Sequence, residues 1–280
     1  MNNNVEPYVF ILDLDGTIIG DCRYQCDIYN IHEIIRNNSN QKLLKNKTLC
    51  EKSLCESYNN ESLLIRPFFN KFMLEIKKQY PNSFIYIYTA SEKSWAHKEI
   101  SIIEKQNNIK FNRPIFTRNN CIIDKYGVYK KSVVKILPLI LKSMKMPKTY
   151  DISKKLLIID NNDTFIDYTE NLLICSTYNY IKFNYIWDNI PEDYHDNELL
   201  KTFISSLISS KKIHNIRSKK SEVQDKVHKW LYKKYKKINK YNYKFRNDTF
   251  WKDLITHIKS NNIQEYNKHT LYIMKKSIKI

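Results

Sequence analysis

Three short apolar runs without polar alternation, Tyr8–Leu12, Ser83–Tyr88 and Leu156–Ile159, each end in a loop of oxygen-bearing side chains. A strand that is apolar on both sides must be covered on both faces, and stretches of helical spacing separate these runs. The arrangement specifies an α/β fold: a parallel sheet between layers of helices, with ligands bound beyond the carboxyl ends of the strands. The loops that begin at Asp13, Thr89 and Asp160 all fall at that edge, so one shared site is expected there.

The intervening pattern fills in the rest. Pro67, in a first helical turn, opens a helix over Phe68–Gln79, and Glu92–Gln106 reads as a second, amphipathic one. Pro114–Phe116 is expected as a strand. Cys121–Ile123 and Val128–Tyr129 form a hairpin across Asp124–Gly127, and Ser132 caps a helix that runs to about Met144. Leu172–Cys175 and Tyr185–Trp187 look like edge strands, followed by a helix from about Asp196 to Ser209. The polar stretch at about 22–62 reads as a small helical insertion over the site, and the chain divides into a domain over 1–210 and a basic, mainly helical region over 211–280.

Charge supports that division. Of the formal +18, residues 211–280 carry 20 Lys and Arg against 5 Asp and Glu, or +15, which leaves +3 for the first 210. Such a region attracts phosphate, and nucleic acid is one candidate partner; an excess of residues with A/T-rich codons accounts for the same lysines without any partner. No apolar run approaches the length of a membrane span, and MNNNVEP lacks the features of a signal peptide, so an intracellular protein, nuclear or cytoplasmic, is expected. The six cysteines are then expected as thiols. Cys22, Cys26, Cys50 and Cys55 have poor spacing for a zinc site.

The loops carry a definite chemistry. Hydrolysis of a phosphate monoester needs a nucleophile, a cation to offset phosphoryl charge and an acid for the leaving oxygen. In Asp13-Leu14-Asp15-Gly16-Thr17, Asp13 at the strand tip can attack phosphorus while Asp15 protonates the leaving group and later activates water. Thr89 offers a hydroxyl and nearby amides to a phosphoryl oxygen, and Lys131, where the hairpin meets a helix, can neutralise it. Asp160 and Asn161 supply hard oxygen ligands suited to Mg²⁺, together with Asp13 and Asp15. An ordinary turn, a helix cap and a solvated surface lysine are the plain alternatives for each element taken alone.

These motifs resemble those of the haloacid dehalogenase superfamily and, within it, the FCP/SCP-type phosphatases that act on the C-terminal domain of RNA polymerase II. The resemblance spans Tyr8 to about Ile208. Arg66-Pro67 with Phe72-Met73 is similar to that family's RP-x4-FL element, and Tyr88-Thr89-Ala90-Ser91 to its YTAS segment. Arg118 with Cys121, then Tyr129-Lys130-Lys131, resembles its hairpin and lysine motif; Ile159-Asp160-Asn161 resembles its LDN. Trp187-Asp188 and Glu198-Leu199-Leu200 resemble its closing segment. The resemblance implies Asp13 as nucleophile, Asp15 as acid/base and as metal ligand through its carbonyl, Thr89 and Lys131 on phosphate, Asp160 and Asn161 at the metal, and Arg118 on substrate. It also implies a phosphorylated protein, the polymerase domain among the candidates, as substrate. Gly16 stands where the family usually carries glutamate, Ser132 where it carries aspartate, and Asn162-Asp163 where it carries Ser-Pro. A polynucleotide 3′-phosphatase, a small-metabolite phosphatase and a non-catalytic binding module that works through 211–280 stay open beside the protein phosphatase.

Overall fold

The computed structural model describes residues 6–20, 63–180 and 244–278. Four parallel strands make the sheet: β1 (Tyr8–Leu12), β2 (Ser83–Ile87), β5 (Leu156–Asp160) and β6 (Leu172–Ile174), in the order β2-β1-β5-β6. β1 lies in the middle, with Phe10 opposite Ile85 on one side and Leu157 on the other. Every residue of β1 and β5 is buried, as continuous apolar strands covered on both faces require.

Alternate side chains of the strands point to opposite faces, and each face has its own cover. Val9, Ile11, Tyr86, Tyr88, Leu156 and Ile158 share a core with α3 (Val133–Met144), through Val133, Ile136 and Ile140. On the other side Phe10 meets the Phe72 ring, 6.4 Å away, from α1 (Phe69–Gln79), and the Tyr266 ring at 6.0 Å. Trp251, in α4 (Phe250–Ser260), packs 4.6 Å from Phe72 and 5.1 Å from Phe69. α2 (Lys93–Asn107) and α5 (Lys268–Ile278) complete the described helices. The hairpin pairs β3 (Ile122–Ile123) with β4 (Tyr129–Lys130), and the Ser132 hydroxyl accepts from the Lys135 amide at the start of α3, as expected of a cap.

Three expectations change. Pro114–Phe116 contributes a single bridge, Tyr88 to Phe116, in place of a strand, since Pro114 has no N–H to extend the ladder. α1 begins at Phe69, one residue late, because Phe68 has a left-handed backbone (φ 65°). The third concerns the boundary at 210. Residues 246–280 belong to the same compact unit as 1–20 and 58–179. The Tyr8 hydroxyl donates to the Gln264 carbonyl (3.0 Å), that of Tyr80 to the Ile263 carbonyl (2.6 Å), and the Tyr266 amide to the Lys154 carbonyl (2.8 Å). The reason is that α4 is amphipathic: its lysines face out while Trp251, Leu254, Ile255 and Ile258 are buried. A second unit, 21–57 with 180–245, lies almost wholly outside the described residues. So do the expected 22–62 insertion, the strand Tyr185–Trp187, the helix Asp196–Ser209 and four of the cysteines. Cys121 and Cys175 are buried free thiols. Among the described residues no helix is long and apolar enough to cross a membrane.

Candidate active site

The carboxyl ends of β1, β2 and β5 meet where the sequence places the chemistry. At the end of β1 the Asp13 amide donates to the Ile159 carbonyl of β5 (2.9 Å), which fixes the backbone that carries the carboxylate. The chain then turns sharply: Gly16 has φ +83°, and the Ile18 and Ile19 amides both donate to the Leu14 carbonyl. This left-handed position is one that glycine adopts without strain. Lys131 follows β4 and is bridged by its backbone to the loop after β5, its amide donating to the Thr164 carbonyl (2.9 Å) and its carbonyl accepting from Ile166 (3.0 Å).

That double anchorage delivers the Lys131 ammonium, 2% exposed, between two buried carboxylates. It donates to Asp13 Oδ1 at 2.6 Å and to Asp160 Oδ2 at 2.7 Å. Asp160 Oδ1 accepts from the Asn162 amide (2.7 Å), and its Oδ2 also accepts from the Thr164 hydroxyl (3.2 Å). Asp160, expected at the metal, thus has both oxygens engaged in orienting Lys131 and its own loop. The Asp167 carboxylate receives the Ser132 hydroxyl (2.5 Å) and the Val133 amide (2.7 Å). Ser132 therefore still caps α3 beside Lys131, with a carboxylate supplied from across the loop.

Asp15, two residues on, is partly exposed and faces the loop after β2. Its Oδ2 accepts from the Ser91 hydroxyl at 2.5 Å and the Thr89 hydroxyl at 3.4 Å, and the Ser91 amide donates to Thr89 Oγ1 (3.1 Å). Thr89 is thereby placed against the acid of the site. Arg118 sits at the rim: its Nε donates to the Ala90 carbonyl (2.8 Å), its guanidinium lies 5.0 Å above the Tyr129 ring, and Glu92 pairs with it at 3.4 Å. Six of the seven residues expected in the site lie on these three loops or directly after the hairpin, and Arg118 stands in the short 3-10 turn Arg118–Asn120 that precedes it.

The cluster is electrostatically lopsided. Burial pushes the Asp13 carboxyl up to about 7; Lys131 opposes that shift, and Asp160 and Asp15 add to it. Burial acts to lower Lys131, but Asp13 and Asp160 outweigh it and hold the ammonium above its usual range. Within hydrogen-bonding reach two carboxylates, Asp13 and Asp160, face one ammonium, and Asp15 adds negative charge nearby. The Asn161 side chain completes an edge of this group. Its inward atom lies 3.2 Å from the Asp15 carbonyl and 3.3 Å from Asp13 Oδ2, and its outward atom 3.0 Å from Thr177 Oγ1. With nitrogen inward the amide donates to both oxygens; with Oδ1 inward, three oxygens stand together. Neighbouring ligands of an octahedral ion with bonds of 2.0–2.1 Å are about 3 Å apart, so that edge fits a small hard cation. No group of three His, Cys, Asp or Glu side chains that could hold a metal ion occurs among the described residues, so the fit rests on the Asn161 side chain and the Asp15 carbonyl beside Asp13.

Four contributors escape a sequence reading. Thr17, whose hydroxyl donates to Asp13 Oδ2 (3.2 Å), is legible in the motif only as a turn residue. Ser91, Thr164 and Thr177 are commonplace side chains whose role depends on three-dimensional placement.

Residues 8–217 match the family described as NLI interacting factor-like phosphatase, well over half of the chain. Among solved structures, the chain is similar to one titled as the structure of Fcp1, an essential RNA polymerase II CTD phosphatase (16% identity, 96% of this chain, 70% of that one, TM-score 0.38). A fission yeast Fcp1 variant bound to beryllium fluoride gives 16%, the same coverage and 0.37. CbbY from Rhodobacter sphaeroides in complex with xylulose-(1,5)bisphosphate gives 10%, 55% and 77% coverage, and 0.31. No curated protein sequence matches. With a sheet that delivers two aspartates, a buried lysine and an Asp-Asn pair to one edge, and a family match over 8–217, the chain belongs to the NLI interacting factor-like phosphatases.

Proposed function

We propose that the protein is an intracellular Mg²⁺-dependent phosphatase that removes phosphate from phosphoserine or phosphothreonine in proteins, through an aspartyl-phosphate formed on Asp13. The observation that carries this reading is the Asp13 carboxylate, fixed at a strand tip between the Lys131 ammonium and the Asn161 edge. Mg²⁺ would be held by Asp13 Oδ2, the Asp15 carbonyl and Asn161 Oδ1, and when bound it supplies positive charge to the phosphoryl oxygens. Asp160 acts through Lys131.

The chain's own residues account for the proton and bond changes. The Asp13 carboxylate attacks phosphorus, a new O–P bond forms, and the ester P–O bond breaks as Asp15 gives its proton to the leaving alkoxide. Asp15, then a carboxylate, takes a proton from water whose oxygen bonds to phosphorus; the Asp13–phosphorus bond breaks and inorganic phosphate leaves. Lys131 balances charge on Asp13 and on the phosphoryl group throughout, and Thr89 lines the phosphate side of the same wall.

A phosphorylated protein of the polymerase C-terminal-domain type is favoured over a small metabolite by the rim. Arg118 is held there by Ala90 and Tyr129, and the adjoining hairpin exposes Ile123 (60%) and Tyr126 (78%), apolar surface that a protein segment can cover. The test is phosphate release by the full chain from phosphorylated polymerase-tail peptides, an aryl phosphate and 3′-phosphorylated oligonucleotides, each with Mg²⁺ or with chelator. Mg²⁺-dependent turnover that prefers peptides, and is lost in Asp13→Asn, is expected. Turnover no greater than that of the variant overturns the catalytic reading, and a preference for the oligonucleotides overturns the substrate class.

A further inference from the structure

We infer that Asp248, from the C-terminal segment, is a positioning residue for the cation-binding edge of the active site, acting through Arg66 and residues 175–178. The inference rests on the proposed placement of Mg²⁺ at Asp13, Asp15 and Asn161.

Arg66 is fully buried, and its five N–H donors all have acceptors. Nε and Nη2 grip the two Asp248 oxygens at 2.9 Å each; Nη2 also donates to Ser176 Oγ (3.0 Å), and Nη1 to the Ser176 carbonyl (3.0 Å) and Cys175 Sγ (3.3 Å). The guanidinium lies 4.5 Å above the Phe250 ring, and Asp248 Oδ1 also accepts from the Phe250 amide (3.1 Å) at the start of α4. Asp248 is thus held by its own helix and in turn fixes the plane of Arg66. A planar fork satisfied at every position has one orientation.

What that orientation holds is the floor of the site. The Cys175 amide donates to the Asp160 carbonyl (2.9 Å), Thr177 Oγ1 lies 3.0 Å from the outward atom of Asn161, and the Tyr178 amide donates to the Gly16 carbonyl (2.8 Å). Ser176, gripped twice by Arg66, is the centre of that run. The Arg66 amide also donates to the Ile18 carbonyl (2.8 Å), at the far end of the turn that begins with Asp13. One guanidinium and its own backbone therefore join the loop that carries Asp15 to the 175–178 run, which in turn meets Asn161 through Thr177. Without Asp248 the buried guanidinium has too few acceptors and must turn towards water, which releases Ser176. The C-terminal segment, 182 residues from Arg66, completes the site instead of decorating it.

Mg²⁺ binding to the full chain, followed by titration calorimetry, tests this directly, with kcat and KM for an aryl phosphate measured alongside. Asp248→Asn should weaken Mg²⁺ binding about tenfold, the range in which residues behind a metal's own ligands act, with KM little changed. Asp248→Glu, which restores the charge, should recover part of the loss. Ser176→Ala, an exposed position that loses only one Arg66 bond, should shift Mg²⁺ binding in the same direction by less and serves if Asp248→Asn does not fold. Wild-type affinity in the folded Asp248→Asn or, failing that, in Ser176→Ala overturns the inference and leaves the catalytic reading intact. Absence of Mg²⁺ binding by the wild type overturns both.

Discussion

Two buried ionic groups in this molecule look alike by composition and differ in their balance. Around Lys131, one ammonium faces Asp13 and Asp160, with Asp15 close by, and burial leaves Asp13 raised to about 7. Around Arg66, one guanidinium faces one carboxylate, and every donor has an acceptor. Charges taken out of water are tolerated when they are paired and hydrogen-bonded. The second group meets that condition by itself. The first meets it only in part, and what it lacks is positive charge beside oxygen atoms, which is what a divalent cation would bring. Imbalance marks the reactive centre here, and balance marks a joint in the architecture.

The largest effect expected from this contrast is in Asp13→Asn. Turnover should fall at least about a thousandfold, as for loss of a nucleophile, while the melting temperature in metal-free buffer does not fall. The sign follows from Asp13: its carboxyl is raised from 3.8 to about 7, so its charged form is disfavoured in the fold, and wild-type stability declines as pH rises from about 4 through 7. Thermal melting across that range should show the variant gaining on the wild type. A variant that melts lower throughout would place Asp13 in the balanced class.

Arg66→Met is the converse. It orphans Asp248, and urea unfolding should report a loss of about 3–5 kcal/mol, most of which returns in the double variant with Asp248→Leu. A double variant no more stable than the single one would break the comparison from the other side. Ser132→Ala removes the α3 cap next to Lys131 and should cost about 1 kcal/mol by the same measurement. Smallest is Glu75→Gln. Lys259 and Lys78 hold Glu75 down at about 2, so its contribution is present above the ordinary carboxylate range and lost as pH falls towards 2. A slight lowering of the melting temperature at neutral pH, erased by salt, is expected of a pair in contact with solvent.

The sheet is legible because its strands are apolar on both sides, and the site is legible because Asp13, Thr89 and Asp160 stand at the carboxyl ends of three of those strands. Lys131 could be singled out by its place at the junction of hairpin and helix. The Arg66–Asp248 joint is not readable, since nothing across a separation of 182 residues reports which carboxylate a buried arginine will meet. The C-terminal helices read as a separate region because residues 211–280 as a whole carry 20 Lys and Arg against 5 Asp and Glu, whereas the stripe of Trp251, Leu254, Ile255 and Ile258 decides where α4 packs. Asp160 and Asn161 read together as hard oxygen ligands; the contact of Lys131 with both Asp13 and Asp160 is set by a backbone bridge to the loop after β5 that no local spacing reports.

Gly16 sets how closely the loops of the site approach one another. A Cβ built there would lie 2.6 Å from Asn161 Nδ2 and 3.2 Å from Thr177 Cγ2, on a backbone with φ +83°. Any larger residue at position 16 must therefore displace the Asn161 side chain, and with it the proposed cation edge. A bare backbone at one turn thus acts as a clearance requirement on the opposite wall of the active site.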